Sequence, residues 1–526
     1  MAGSDIPEGG PTARPGPSAV DGAIDAMGAD ELRKLVRELL GLLDKRTHSQ
    51  IVHELVERAA TAGGEWAPAP PPTPRVAEIV SRGERAAHAG WAHPADVDAC
   101  LLEGSNAFLA RDYGTAVRIF RAWLVPLGEA EIDLGQHEMV DEVLGVDVGT
   151  CAAQYVVATY MTTAPDRRAG AVWDAMDEVG VLGPFLEPLR EMERVAVEPL
   201  PGMEEFLPQW RALLEANTAA DRRDGWDTEE DGWLREAVRR MDGAEGLGRL
   251  ARSTGRVSDL RAWCRALVEA RRWEDALAAC EEAAETVTEQ ALCRAEFLDG
   301  AALAAQELGR EDLPARLERA WREAPTPLRL RRWLGAATSR AEIRERAARA
   351  LDACPEEARC QRAFLHLVLG EHGAAAGFLA EAPGLGWSGS EHPGHLLFAL
   401  FGTLLAVGPD PSSSLPHGWG PEEEEPEDGP RLAAPAPEEI LAAAGVRRIT
   451  EAGEVRTVFR AMRGAAEKRM AGVTSKTRRR YYGHAAHLVA VCEAIAPAPG
   501  WVAGLRSRYR RFSALQRELD QHLGDR

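Results

Sequence analysis

From Asp21 onward the apolar residues of this chain recur at three- and four-residue steps, the spacing that lines one face of a helix. Leu32, Leu35, Val36, Leu39, Leu40, Leu42 and Leu43 make a first stripe, with Asp30 placed to cap its start. The polar stretch Asp44–Gln50 breaks it, and Ile51, Leu55, Val56 and Ala59 make a second. The pattern predicts a helical hairpin over residues 21–62. A unit of about forty residues buries too little surface to be strongly stable alone, so it is expected to dock on the rest of the chain or on a partner.

Residues 1–20 are rich in Gly, Pro and Ser and read as a disordered tail. Residues 63–74 (GGEWAPAPPPTP) read as a stiff polyproline linker. Helical periodicity then runs over 75–407, with prolines such as Pro126, Pro188, Pro208, Pro314, Pro327 and Pro383 read as breaks between short helices. The run VVATYMTT at 156–163 is the best strand candidate and fits a buried helix equally well. Residues 408–437, with the acidic run Glu422–Glu425, Glu427 and Asp428, read as a solvated, self-repelling linker. Helical pattern resumes over 438–526. The expected fold is all-α: a helical solenoid at 75–407 between an N-terminal hairpin and a C-terminal helical domain.

The segment CLLEGSNAFLARDYGTAVRIFRAWL (100–124) resembles a tetratricopeptide unit, two antiparallel helices meeting at small residues. In that resemblance Gly104 is the close-approach position, Asp112 and Tyr113 form the turn, Ala116 is the small contact of the second helix and Phe120 fills the groove. Trp123 departs from the alanine preferred there, which implies altered stacking on the next pair. The same phase returns with Trp273, Ala276 and Cys280, and again with Ala363, Ala375 and Leu379. The turn positions 113, 273 and 372 are not multiples of 34 apart, so the resemblance implies an irregular TPR-like α-solenoid rather than a regular array. Fourteen tryptophans against six tyrosines fit large residues wedged between helix layers.

The stretch LGWSGSEHPGHLLFALFGTLLA (385–406), and the terminus from Tyr481, resemble the non-zinc region of actinobacterial SWIM zinc-finger proteins; the opening ADELRKLVRELLGLLD resembles them more weakly. The C-x-C…C-x-H module of that family is absent from this sequence, so zinc is not implied; a helical region without assigned chemistry is. Composition agrees with such a source. Only Lys34, Lys45, Lys468 and Lys476 are lysines among 62 basic residues, and Asn106 and Asn217 are the only asparagines, as in a very GC-rich bacterial genome.

Eight cysteines with no C-x-x-C spacing argue against a disulfide scaffold and read as small core residues. No apolar run reaches the ~20 residues of a membrane span, and a cytoplasmic protein without membrane contact is expected. Gly384–Gly389 satisfies G-x-G-x-x-G by letter, but follows a helical segment instead of a strand and reads as a loop. His392 and His395 flank Pro393-Gly394, and His484 and His487 share a helix face with Cys492 near; both sets read as packing and capping. Glu138, Asp141 and Glu142, and the acids around Trp226 (Asp224, Asp227, Glu229, Glu230, Asp231), read as surface carboxylates. No catalytic residue, cofactor or metal site is assigned.

Charge is unevenly spread. Residues 447–526 carry 17 basic and 7 acidic side chains, a net +10 in a chain of −21, which leaves −31 elsewhere. Lys476, Arg478, Arg479, Arg480, Arg508, Arg510 and Arg511, interleaved with Tyr481, Tyr482, Tyr509 and Phe512, are candidates for contact with an anion or with nucleic acid. The opposite expectation is that this basic domain docks on the acidic remainder. The sequence therefore points first to a non-catalytic helical-repeat scaffold binding a protein or peptide. A nucleic-acid-associated protein using 438–526, and an enzyme on a helical scaffold, are the alternatives.

Overall fold

The helical periodicity is realised throughout the computed structural model, which describes residues 17–61, 66–135, 139–183, 185–223, 227–389, 391–405 and 429–523. Among these residues all regular structure is helical, apart from one isolated bridge between Trp91 and Asp133. The stretch 156–163 lies in a helix, Val148–Thr162, rather than a strand. The residues 1–16, Glu138, Asp224, Trp226 and the acidic run at 422–428 fall outside the described set.

The chain divides into two compact units at Asp242/Gly243. The first holds α1 (Pro17–Ala26), α2 (Ala29–Leu40), α3 (Lys45–Thr61), α4 (Thr73–Ala89), α5 (Pro94–Leu109), α6 (Tyr113–Gly128), α7 (Val140–Val143), α8 (Val148–Thr162), α9 (Arg168–Val179), α10 (Pro188–Val195) and α11 (Met203–Arg223). Helix α12 (Glu229–Thr254) is interrupted at Gly243, which takes φ 61° and ψ −151°. Next come α13 (Val257–Glu269), α14 (Trp273–Thr286), α15 (Ala291–Glu307), α16 (Leu313–Glu323), α17 (Pro327–Gly335), α18 (Arg340–Ala353), α19 (Arg359–Leu369), α20 (His372–Glu381) and α21 (Pro393–Leu405). Beyond residue 429 follow α22 (Pro437–Ala443), α23 (Ala452–Ser475), α24 (Tyr482–Ile495), α25 (Pro499–Arg508) and α26 (Ser513–Leu523).

Two expectations about the first unit change. Helix α1 begins at Pro17, inside the stretch read as a tail. Pro126 and Pro208 lie within α6 and α11 instead of between helices. Pro126 has no N–H for the Ala122 carbonyl, and α4 meets that carbonyl with Gly83, where a Cβ would sit 2.4 Å from the oxygen. Trp123, the departure from the repeat pattern, is buried and donates its indole N–H to the Ile79 carbonyl of α4 at 3.2 Å. Helix α2 buries none of its residues, and Leu35, Val36 and Leu39 stay exposed.

The three turns singled out by their repeat phase share one backbone conformation. Arg111, Arg271 and Gly370 each take a left-handed φ, at 62°, 53° and 83°. The next residues, Asp112, Arg272 and Glu371, lie near φ −85° to −91° and ψ 61° to 70°. Each returns its N–H to a carbonyl five residues back, Ala107, Leu267 and His366, which ties off the end of the preceding helix. Tyr113, Trp273 and His372 then open α6, α14 and α20. Thr477 (φ 51°) and Arg478 repeat the same turn at the end of α23, with the Arg478 N–H on the Val473 carbonyl. Gly104, Ala116, Phe120, Ala276, Ala375 and Leu379 are all buried, and a Cβ on Gly104 would lie 2.8 Å from the Phe120 ring.

In the second unit each helix from α13 to α20 packs on the next. One hydrophobic core extends from Ala302 to Leu519 and draws in helices from both sides of residues 408–437. The end of that segment is seated, not solvated: Leu432 is buried, and Arg331 donates to the carbonyls of Pro435 and Ala434 at 2.9 and 3.0 Å. Helix α23 lies against α20, and the loop after α20 meets α23 backbone on backbone. A Cβ on Gly384 would stand 2.0 Å from the Lys468 carbonyl oxygen.

That contact predicts that Gly384→Ala costs about 1–3 kcal/mol through overpacking. Gly377→Ala, in α20 with open space around it, should gain about 0.5–1 kcal/mol from helix propensity. Denaturant midpoints of the two variants check this; equal effects contradict the close approach.

Candidate functional site

Helices α21, α23 and α24 and the loop before α21 enclose a cavity of about 270 Å³. The loop supplies Trp387 and Ser388, α21 supplies His395 and Phe398, α23 supplies Arg469, and α24 supplies His484 and Leu488. Arg478 and Tyr481, in the turn between α23 and α24, complete the wall. Residues 85 positions apart in sequence thus meet directly: Arg469 Nη1 donates to the Gly384 carbonyl at 3.3 Å.

Arg469 is the central group. It is only 4% exposed, and no carboxylate among the described residues pairs with it. Its Nε–H donates to His484 Nδ1 at 3.2 Å, and its guanidinium lies 5.1 Å from the Tyr481 ring and 6.0 Å from the Trp387 ring. Nη2 has no hydrogen-bond partner among the described residues. Burial presses the Arg469 pKa below its ordinary value, but a guanidinium stays charged at neutral pH.

The histidines around it are held neutral. His484 is pushed down to about 4, first by burial and then by the Arg469 charge. With Nδ1 accepting from Arg469, its one proton sits on Nε2. His392 accepts the Gly394 N–H at Nδ1 (3.1 Å) and donates from Nε2 to the Pro383 carbonyl (2.9 Å), which fixes its neutral tautomer. Burial lowers both His392 and His395. Trp387 lies between His392, tilted at 5.0 Å, and His484, edge to face at 5.1 Å between ring centres, and its buried indole N–H has no partner among the described residues. No lining residue is a carboxylate. The walls present donors and flat rings.

The seven basic residues singled out in the sequence are all exposed. Among the described residues Lys476, Arg478, Arg479, Arg480, Arg510 and Arg511 form no ion pair, whereas Arg508 comes within 3.9 Å of Glu467. Arg480 lies over Tyr481 and Arg511 over Phe512, at 4.6 and 4.9 Å. Arg508 and Arg511 also border a second hollow of about 290 Å³, with Thr474 and Ser475. Five arginines earlier in the unit are paired across helices: Arg252 with Glu282, Arg261 with Glu296, Arg310 with Glu274, Arg316 with Glu281 and Arg329 with Asp299. The helices beyond 438 pack on the rest of their unit mainly through apolar side chains and glycines, with Lys468 and Arg469 donating to the Ala380 and Gly384 carbonyls. The basic residues are left outward.

The other sequence candidates take ordinary places. Asp141 and Glu142 are exposed on the four-residue helix α7. Asp227 pairs with Arg235 at 2.9 Å, whereas Asp231, read from the sequence as a surface carboxylate, is buried and accepts the Thr228 N–H at the start of α12. Glu236 accepts the Leu189 and Arg190 N–H groups at the start of α10, and burial pushes its pKa up to about 7. No group of three or more His, Cys, Asp or Glu side chains in metal-binding arrangement occurs among the described residues. No described helix is long and apolar enough to cross a membrane. Sequence reasoning missed Trp387 and the role of Arg469. The first lay inside the glycine-rich loop already noted, and the second stood unremarkably within a run of basic residues.

The depressed His484 pKa fixes a direction of pH dependence. Above about pH 6.5 the residue is neutral in folded and unfolded chain alike. Between 6.5 and 4 the unfolded chain takes up a proton that folded His484 refuses, so stability falls as pH drops through that window. His484→Gln should flatten this part of the thermal-midpoint profile; an unchanged profile contradicts the assignment.

No protein-family model matches the chain, and no curated protein matches it.

Proposed function

We propose that this chain is a non-catalytic helical-repeat binding protein, its basic face at residues 476–480 and 508–511 engaging an acidic protein or peptide partner. The observation that carries this reading is that six exposed side chains of this face, Lys476, Arg478, Arg479, Arg480, Arg510 and Arg511, form no ion pair among the described residues, while five arginines earlier in the unit pair with carboxylates across helices. Unpaired surface charge of one sign steers and orients an oppositely charged partner. A TPR-like solenoid over α13–α20 is the scaffold we read behind it. Its support is the recurring turn and the ion pairs that join residues 30 to 36 positions apart along 252–329. Stacked helix pairs of similar length would generate that spacing.

A second reading, single-stranded nucleic acid on the same face, is favoured by Arg480 over Tyr481 and Arg511 over Phe512, since forks beside rings suit phosphates and bases. Fluorescence anisotropy of the full chain with an oligoglutamate peptide and an oligonucleotide of equal charge separates the two. The peptide should bind, weaken with salt, and lose at least about tenfold in affinity when Arg479, Arg480, Arg510 and Arg511 become Glu. Tighter oligonucleotide binding replaces the first reading with the second, and binding of neither removes both.

A further inference from the structure

We propose that the cavity between α21, α23 and α24 is a binding site for a small aromatic oxyanion, an aryl phosphate or aryl carboxylate, with Arg469 as its charge partner. A guanidinium taken out of water is costly unless an anion meets it, and the described residues supply none. Its two hydrogen bonds go to a carbonyl and a neutral imidazole, neither of which cancels the charge. Nη2 retains its donors, and Arg478 brings a second unpaired guanidinium to the same wall. Two such forks suit the oxygens of a phosphate or carboxylate. The Tyr481 hydroxyl and His484 Nε2–H add neutral donors, so no group on the wall repels an anion.

The rest of the cavity selects the body that carries the charge. Trp387, Phe398 and Leu488 offer flat, apolar surface, and Trp387 meets Phe398 edge to face at 6.2 Å. Such walls favour a ring over a free inorganic anion. At about 270 Å³ the cavity lies just below the range of drug-sized sites, which limits the ligand to a single ring system. A cation would face Arg469 and Arg478 with no carboxylate to hold it. The site shares Arg478 with the proposed partner surface, but Arg479, Arg480, Arg510 and Arg511 do not line it.

Isothermal titration of the full chain with phenyl phosphate tests this, with inorganic phosphate and benzamidine as comparators. Phenyl phosphate should bind one per chain with Kd below about 1 mM. Inorganic phosphate should bind at least about tenfold more weakly, and benzamidine should give no saturable heat. Arg469→Met should weaken phenyl phosphate at least about tenfold. Arg478→Ala should weaken it several-fold, whereas Arg479→Ala, one residue outside the wall, should not. The Arg478/Arg479 comparison tests the site with Arg469 left in place. Binding should survive Glu at Arg510 and Arg511, which separates this site from the peptide surface. Absence of phenyl phosphate binding, equal binding of inorganic phosphate or benzamidine, or equal losses in Arg478→Ala and Arg479→Ala would overturn it.

Discussion

A positive charge enclosed in a helical core without an acid beside it governs how the second unit is built. Arg469 projects from the middle of α23, whose neighbours Ala465, Ala466, Met470 and Val473 are all buried. The groups gathered around its guanidinium are those that tolerate a cation without neutralising it: a carbonyl oxygen, an imidazole lone pair and the faces of two rings. Each gives a partial interaction, and a cation over a ring contributes about 0.5–2 kcal/mol. The neutral state of His484 follows first from burial and then from the same charge. The His484 tautomer also traces to this residue, whose Nε–H occupies Nδ1.

The charge can be held there because α23 is drawn close to its neighbours by small residues. Gly384 and Gly472 bring two backbones into contact, the nearest approach to a Gly472 Cβ being the Gly384 backbone at 3.0 Å. Lys468, one position before Arg469, anchors the same junction through the Ala380 carbonyl at 2.6 Å. Burial of apolar side chains from 302 to 519 in one core holds these helices together, and the remaining basic residues are excluded from it. The arrangement explains how a strongly basic segment packs on its own unit while keeping most of its charge outward.

Much of the helical architecture was legible because three- and four-residue periodicity reports burial directly. The repeat turns were legible too: positions 113, 273 and 372 each begin a helix after the same left-handed residue. The prolines were less informative. Pro126 reads as a break, yet a packed helix tolerates it because Gly83 lets α4 approach the freed carbonyl. The letters G-x-G-x-x-G announced tight backbone geometry correctly and its purpose not at all, since Gly384 serves helix packing. The cavity could not be read from the chain. Its parts are ordinary singly, and only the fold brings Trp387 and His395 to Arg469 and His484.

The most direct test is the stability of the chain when Arg469 is replaced by Met, measured as a denaturant midpoint without any added anion. If the guanidinium is an uncompensated charge kept for a ligand, an apolar side chain of similar length leaves the midpoint at or above that of the unaltered chain. A loss of about 2 kcal/mol or more would contradict the account and make Arg469 a structural residue whose hydrogen bonds the fold requires.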